Sequence, residues 1–168
     1  MVLDIITYPH PVLKNPAAPV ENIDETVQTL IDDMMETMYS APGIGLAANQ
    51  VGELARVIVF DRSPREPGRD PAVLINPEIV MEEGSIVHEE ACPSVIDYSA
   101  DVKRCAQVKV TGFDRDGNPV SIDAEELLAV CLQHEIDHLN GVLFIDHLSS
   151  LKRALYRKRL KKRLETDS

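Results

Sequence analysis

The chain has 168 residues, the size of one domain, and 44% of them are hydrophobic while 27% are charged. These proportions exclude a disordered or fibrous protein. The apolar runs are far shorter than the ~20 residues of a membrane span, and no secretory leader pattern is present, so we expect a cytoplasmic protein with no membrane partner. Three cysteines do not suggest a disulfide framework, which favours a reducing compartment where cysteine can bind a metal ion.

The formal net charge of −11 is unevenly distributed along the chain. Residues 149–168 contain eight lysines and arginines against two acidic residues, so this segment carries +6 and residues 1–148 carry −17. A basic segment on an acidic body indicates contact with a polyanion such as RNA. The alternative is a solvated terminal helix that only balances the acidic body.

The first predicted helix has apolar residues at helical spacing from Val27 to Met38. Asp24 is its predicted N-cap, and Pro42 with Gly43 ends it. The pattern then predicts a loop at 43–52, a strand near 56–60, a proline- and glycine-rich connection at 63–71 and a strand near 72–80.

The second half of the chain begins with a predicted hairpin and continues with a second helix. Asp116-Gly117, between apolar runs at 108–113 and 119–122, is a strong hairpin signal. Asp123 with Glu126 resembles a capping box at the start of the helix. Helical spacing places four residues on one face of this helix: Leu127, Val130, Cys131 and His134. We therefore expect an α+β fold, with irregular antiparallel sheets around this central helix and further helices near both ends of the chain.

The second helix contains an HExxH motif formed by His134, Glu135 and His138. Histidines four residues apart project from the same helical face, so both imidazoles can reach one divalent cation. The glutamate lies beside that cation, where it can take a proton from water and pass it to a leaving nitrogen. The motif predicts a metal-dependent hydrolase; two ordinary surface histidines are the alternative.

A catalytic metal site of this type needs a third protein ligand and one open position. The extended zinc-protease pattern is excluded, because Phe144 occupies the position of its third histidine. His147 lies beyond the predicted helix end. Cys92, in an acidic segment, is the more attractive candidate, because a thiolate is stabilised by direct metal coordination; a buried apolar cysteine is the alternative. Cys105 and Cys131 have no partner motif and are interpreted as buried apolar residues, the commonest environment of a free cysteine.

Three segments together resemble the peptide deformylase family. They are GIGLAANQ at 43–50, EACPS at 90–94 and QHEIDH at 133–138, and they occur in the family's order. The first 13 residues also resemble the family's start, so the similarity covers essentially the whole chain.

The resemblance implies a role for each matching residue. The implied metal ligands are Cys92, His134 and His138. Glu135 would act as general base and then general acid, and the Gln50 side-chain amide would stabilise the oxyanion. Gly45 would bind the substrate through its backbone, and the pocket for the methionine side chain would be lined by Ile44, Val130 and Cys131.

The family also implies the setting in which the protein works. One divalent ion is expected, Fe²⁺ in the cell, with Zn²⁺ or another divalent metal as the alternative. The expected substrates are N-formyl-methionyl nascent peptides, and the expected product is formate. We expect a monomer with a deformylase-like catalytic domain at 1–148 and a basic C-terminal helix of the same domain at 149–168, which would contact ribosomal RNA.

Four positions depart from the common family pattern: His88, Ala91, Pro93 and Ser99. Proline has no backbone N–H, so Pro93 removes an oxyanion donor that the family pattern provides. The loss of such a donor typically costs ~10²- to 10³-fold in kcat. Two alternative hypotheses follow: a metal amidase with another substrate, and a metal-binding paralogue with little or no activity.

Overall fold

Seven strands form two antiparallel sheets in the computed structural model, which describes residues 1–64 and 68–167. Residues 65–67 of the predicted connection at 63–71 lie outside the described residues. The helices are α1 (Glu25–Ser40), α2 (Glu126–Leu139) and α3 (Ser150–Asp167). The strands are β1 (Gly45–Ala47), β2 (Val57–Asp61), β3 (Pro71–Glu83), β4 (Ile86–Cys92), β5 (Val95–Arg104), β6 (Gln107–Phe113) and β7 (Pro119–Glu125).

The larger sheet has the strand order β1-β2-β3-β6-β7 and lies between α1 and α2. Side chains alternate across a strand, and all five residues of β2 are buried because both faces of the sheet are covered. Val57 and Val59 belong to the core on the α1 side, whereas Ile58 and Phe60 belong to the core under α2. The expected α+β class, with antiparallel sheets around the HExxH helix, is confirmed.

The N-terminal helix follows the sequence prediction, because its signals are local. The Asp24 carboxylate accepts a hydrogen bond from the Val27 N–H at 3.1 Å, as an N-cap does. The segment at 43–52 differs from the predicted loop, since it contains β1 and a 3-10 helix at Ala48–Val51. β1 forms by pairing with β2, a long-range contact that local turn signals do not reveal.

The start of α2 contradicts the predicted capping box. Asp123 pairs with Lys109 in the sheet, and α2 begins at Glu126 with no side-chain cap on Glu125. The Glu126 N–H donates to the Ala106 carbonyl at 3.2 Å, just beyond the last pair of the sheet, and this backbone contact takes the place of a side-chain cap. The predicted helix end is confirmed, with Asn140 as the C-cap and Gly141 at a φ of +76°.

A second sheet, formed by β4 and β5, packs with the C-terminal part of the chain. Tyr156 and Leu160 of α3 are buried in the same cluster as Cys92 of β4 and Phe144. This packing favours treating the basic helix as part of the same domain, which stays a prediction. Among the described helices, none combines the length and apolar character needed to cross a bilayer.

Candidate metal centre

Three side chains from distant parts of the sequence converge where β4 meets α2. The Cys92 Sγ, His134 Nε2 and His138 Nε2 atoms all lie within 4.8 Å of one another. The two Nε2 atoms are 3.2 Å apart, and Cys92 Sγ is 3.4 Å from His138 Nε2. Of the two candidates for a third ligand, Cys92 is the one that reaches the histidines, while His147 contacts Asp137 instead.

The spacing of these three atoms fits a bound metal ion. Tetrahedral coordination at zinc-like bond lengths places two nitrogen ligands about 3.3 Å apart and a sulfur and a nitrogen about 3.6 Å apart. The observed separations of 3.2 Å and 3.4 Å are close to both values. The set of one thiol and two imidazoles supplies three protein ligands, the number typical of a catalytic centre.

A buried ion-pair network fixes the orientation of His134. Its Nδ1 lies 2.8 Å from the Glu90 carboxylate, which leaves Nε2 directed at the other two ligand atoms. Arg104 donates two hydrogen bonds of 2.8 Å to Glu90 and a third of 2.6 Å to Asp137. Burial alone would raise the pKa of Glu90, but the Arg104 and His134 hydrogen bonds outweigh it and lower the pKa to about 2.

Sequence reasoning missed this network. Glu90 and Cys92 are two residues apart on β4 and therefore share a face, which was a usable signal for Glu90. Arg104 and Asp137 carried no local pattern that distinguishes them from surface charges.

Glu135 lies beside the three converging side chains and is 3% exposed. Its Oε1 is buried and has no hydrogen-bond partner among the described residues. Burial raises the pKa of this carboxyl to about 7. A carboxyl in that range can accept and return a proton near neutral pH.

Gln50 is held by hydrogen bonds at both ends of its side-chain amide. Its Oε1 accepts from the Ala47 N–H at 3.0 Å. Its Nε2 therefore faces the centre, where it lies 3.4 Å from Cys92 Sγ and 3.1 Å from Ser94 Oγ. The amide thus presents an N–H donor to the space beside the sulfur.

A cleft of about 210 Å³ opens beside these groups. It is lined by all the predicted substrate-binding residues, namely Ile44, Gly45, Val130 and Cys131, and also by His88, Pro93 and Leu127. A Cβ on Gly45 would lie 2.6 Å from Glu135 Oε2 and 2.7 Å from Cys131 Sγ, so only glycine lets β1 approach α2 this closely. A larger groove of about 420 Å³ over β3, β6 and β7 contains none of these residues.

A cysteine and two histidines of an HExxH helix, with a buried glutamate and an open cleft, define a metal-dependent hydrolase. The family model for polypeptide deformylase matches residues 2–154, and the chain belongs to this family. The family relationship predicted from the three motifs is thereby confirmed, and the metal-dependent class of the site agrees with it.

The relatives are similar over nearly their whole length. The peptide deformylase of Syntrophobacter fumaroxidans is 54% identical over 164 residues, which cover 98% of this chain and 96% of the relative. A crystal structure of a peptide deformylase from Legionella pneumophila has a TM-score of 0.90 at 45% identity, with 100% and 99% of the two chains covered. That from Ehrlichia chaffeensis, in complex with actinonin, has a TM-score of 0.89 at 39% identity, with 96% and 97% covered. These comparisons support the deformylase hypothesis and give no support to the two alternatives.

The Glu90 contact to His134 generates a prediction about metal affinity. Glu90→Gln removes the charge that orients the His134 ring, so we expect the Zn²⁺ affinity to fall by roughly tenfold to hundredfold. The matched control is Glu89→Gln, the same change at the exposed neighbouring residue of β4. Competition with a chromogenic chelator measures both affinities, and equal values for the two variants would contradict the orienting role.

Proposed function

We infer that this chain is a metal-dependent amide hydrolase that removes the formyl group from the N-terminal methionine of newly made polypeptides. The observation that carries this inference is the convergence of Cys92, His134 and His138 beside Glu135 at an open cleft, in a chain of this family. In the reaction, the oxygen of water bonds to the formyl carbon and the carbon–nitrogen bond breaks. Formate leaves, and the nitrogen gains a proton to become a free amine.

We propose that Cys92, His134 and His138 hold one divalent ion. When bound, the ion would polarise the formyl oxygen and make a nearby water more acidic. A thiolate with two imidazoles suits Fe²⁺ and Zn²⁺ alike. Fe²⁺ is the proposed native ion, as the family resemblance implies.

Glu135 is the proposed general base and then general acid. Its unpartnered Oε1 is available to accept a proton from water, since no described residue binds it. The same carboxyl then delivers that proton to the leaving nitrogen, so one group performs both transfers.

Gln50 is the proposed donor to the oxyanion that develops on the formyl oxygen. Its Oε1 accepts a hydrogen bond from the Ala47 N–H, which fixes the amide before any substrate binds, so that Nε2 is already directed at the space beside Cys92. We further propose that the Gly45 backbone binds the peptide and that Ile44, Val130 and Cys131 surround the methionine side chain.

The close approach of β1 to α2 supports selectivity for a formyl group. The position that a Gly45 side chain would occupy is filled by Glu135 and Cys131 atoms, so the space beside the carboxylate is narrow. A formyl carbon carries a hydrogen where an acetyl carbon carries a methyl group. The narrow space therefore favours the smaller acyl group.

The experiment that tests the proposed function is formate release from formyl-Met-Ala-Ser, with acetyl-Met-Ala-Ser alongside it. Glu135→Gln keeps the side-chain size but cannot accept the proton, so we expect the rate to fall by at least ~10²-fold with the metal content unchanged. Elemental analysis after oxygen-free purification measures that content and identifies the native ion. Glu125→Gln, at an exposed position just before α2, is the control. The proposal would be contradicted if neither the unmodified enzyme nor Glu125→Gln released formate. Equal cleavage of the formyl and acetyl peptides would also contradict it.

Pro93 generates a prediction about the rate. It lines the cleft but has no N–H, so Pro93→Leu adds a backbone donor beside Cys92. We expect kcat for formyl-Met-Ala-Ser to rise on the order of 10²-fold with little change in KM. Pro119→Leu, at an exposed strand start, is the control. An unchanged or lower kcat would show that the missing donor does not limit this enzyme.

We propose that the outer face of α3 contacts ribosomal RNA, which places the enzyme where nascent chains emerge. Tyr156 and Leu160 face the core, whereas Lys158 and Lys162 are exposed and lie four residues apart on one face. We also propose that the protein works as a cytoplasmic monomer.

The α3 proposal predicts that Lys158→Glu with Lys162→Glu weakens binding to purified ribosomes and reduces its salt dependence. Peptide hydrolysis should be unchanged, because neither lysine lines the cleft. Lys103→Glu with Lys109→Glu, on β5 and β6, makes the same change in net charge as a control. An equal loss of ribosome binding in the two double variants would indicate a general effect of net charge rather than a docking face on α3.

A further inference from the structure

His88 stands on the face of β4 that points toward the cleft. The strand alternates, so His88, Glu90 and Cys92 share this face, whereas Val87 and Glu89 are exposed. Glu90 and Cys92 belong to the metal centre described above. His88 is the next residue on that face, farther from Cys92 along the strand, and it also lines the cleft.

The His88 ring is a polar group in a cleft that has both apolar and charged lining residues. The apolar ones include Ile44, Leu127, Val130 and Cys131, and Glu89, Glu90 and Glu135 are also in the lining. The Nδ1 atom of His88 is buried and has no hydrogen-bond partner among the described residues. A buried polar atom without a partner carries a desolvation cost, which a ligand with a matching group would remove.

The chemistry of the ring specifies which ligand group would match. A neutral imidazole has one N–H donor and one acceptor nitrogen, and either nitrogen can carry the proton. A methionine side chain is an unbranched apolar chain with one weak acceptor, its thioether sulfur. Oxidation to the sulfoxide makes that end polar and adds an oxygen, which is a stronger acceptor.

We propose that His88 is a specificity-determining residue that donates a hydrogen bond to the sulfur end of the bound side chain. It thereby extends hydrolysis to peptides that begin with N-formyl-methionine sulfoxide. This inference rests on the proposed function, because it places the substrate's first side chain in the cleft. An apolar residue at position 88 would bind the thioether and its hydrocarbon analogue alike and would exclude the sulfoxide.

The test compares three peptides that differ only in the first side chain: formyl-Met-Ala-Ser, formyl-norleucyl-Ala-Ser and the methionine sulfoxide form of the first. For the metal-loaded enzyme we expect kcat/KM to favour methionine over norleucine by about two- to twelvefold, the range of one net hydrogen bond. The sulfoxide peptide should be cleaved within about tenfold of the methionine peptide. In His88→Ile the methionine preference should disappear, and sulfoxide cleavage should fall by roughly a further tenfold.

Two further variants separate recognition from a structural role. His88→Gln keeps an N–H donor and should retain most of the sulfoxide cleavage. Val87→Ile changes the exposed face of β4 and should leave the ratios of kcat/KM among the three peptides unchanged. The inference would be overturned if His88→Ile lowered kcat/KM by a similar factor for all three peptides, or if it left the ratios of kcat/KM among them unchanged.

Binding of the deformylated peptides provides a readout that does not depend on turnover. Calorimetric titration should show that Met-Ala-Ser binds more tightly than norleucyl-Ala-Ser and that the sulfoxide peptide binds with an affinity close to that of Met-Ala-Ser. In His88→Ile this order of affinities should disappear. Peptide binding in this order without formate release would refute the proposed function and the extension of hydrolysis to the sulfoxide, and only the recognition of the side chain by His88 would stand. Formate release with no side-chain discrimination would do the opposite.

Discussion

The buried ion pair between Arg104 and Glu90 is the interaction on which the candidate site depends. Both side chains are 4% exposed, so forming the pair removes two charges from water. The cost is offset because the guanidinium reaches both carboxylate oxygens and also binds Asp137. Loss of one partner of such a pair typically destabilises a protein by about 3–5 kcal/mol. Since Glu90 also contacts His134, the pair joins the β4–β5 hairpin to α2 and sets where Cys92 meets the two histidines.

The second constraint is the contact between β1 and α2 at Gly45. The strand lies so close to the helix that its backbone faces the Glu135 carboxylate and the Cys131 sulfur with no intervening side chain. Close approach leaves Glu135 with little access to water, which is why its pKa rises to about 7. The same approach narrows the cleft beside that carboxylate. One glycine therefore affects both the environment of the Glu135 carboxyl and the width of the cleft beside it.

The sequence predicted those parts of the structure that local patterns determine. The Asp24 cap, the end of α2 at Asn140 and the HExxH face were predicted correctly because residues within one or two turns specify them. The capping box at Asp123 was wrong because pairing with β6 overrides a local signal. The Arg104 network was not predictable, since it joins residues 14 and 33 positions apart whose charges look like any surface pair. Cys92 was the more attractive third ligand from its acidic segment, and the family resemblance implied the same residue.

The turn after Cys92 combines a rigid backbone with the absence of one N–H donor. Cys92 pairs with Val95, so Pro93 and Ser94 form the turn between β4 and β5. Proline suits the second position of such a turn because its φ angle is already fixed, and this rigidity holds the sulfur in place. Ser94 is fully buried, and its hydroxyl accepts from Gln50 Nε2 at 3.1 Å. The Ala47 N–H binds the other end of the same amide, so Gln50 is held in one orientation. A rigid turn and a fixed side-chain amide thus stand beside Cys92, at a turn position that has no backbone N–H, and in the proposed mechanism the Gln50 amide is the donor to the oxyanion.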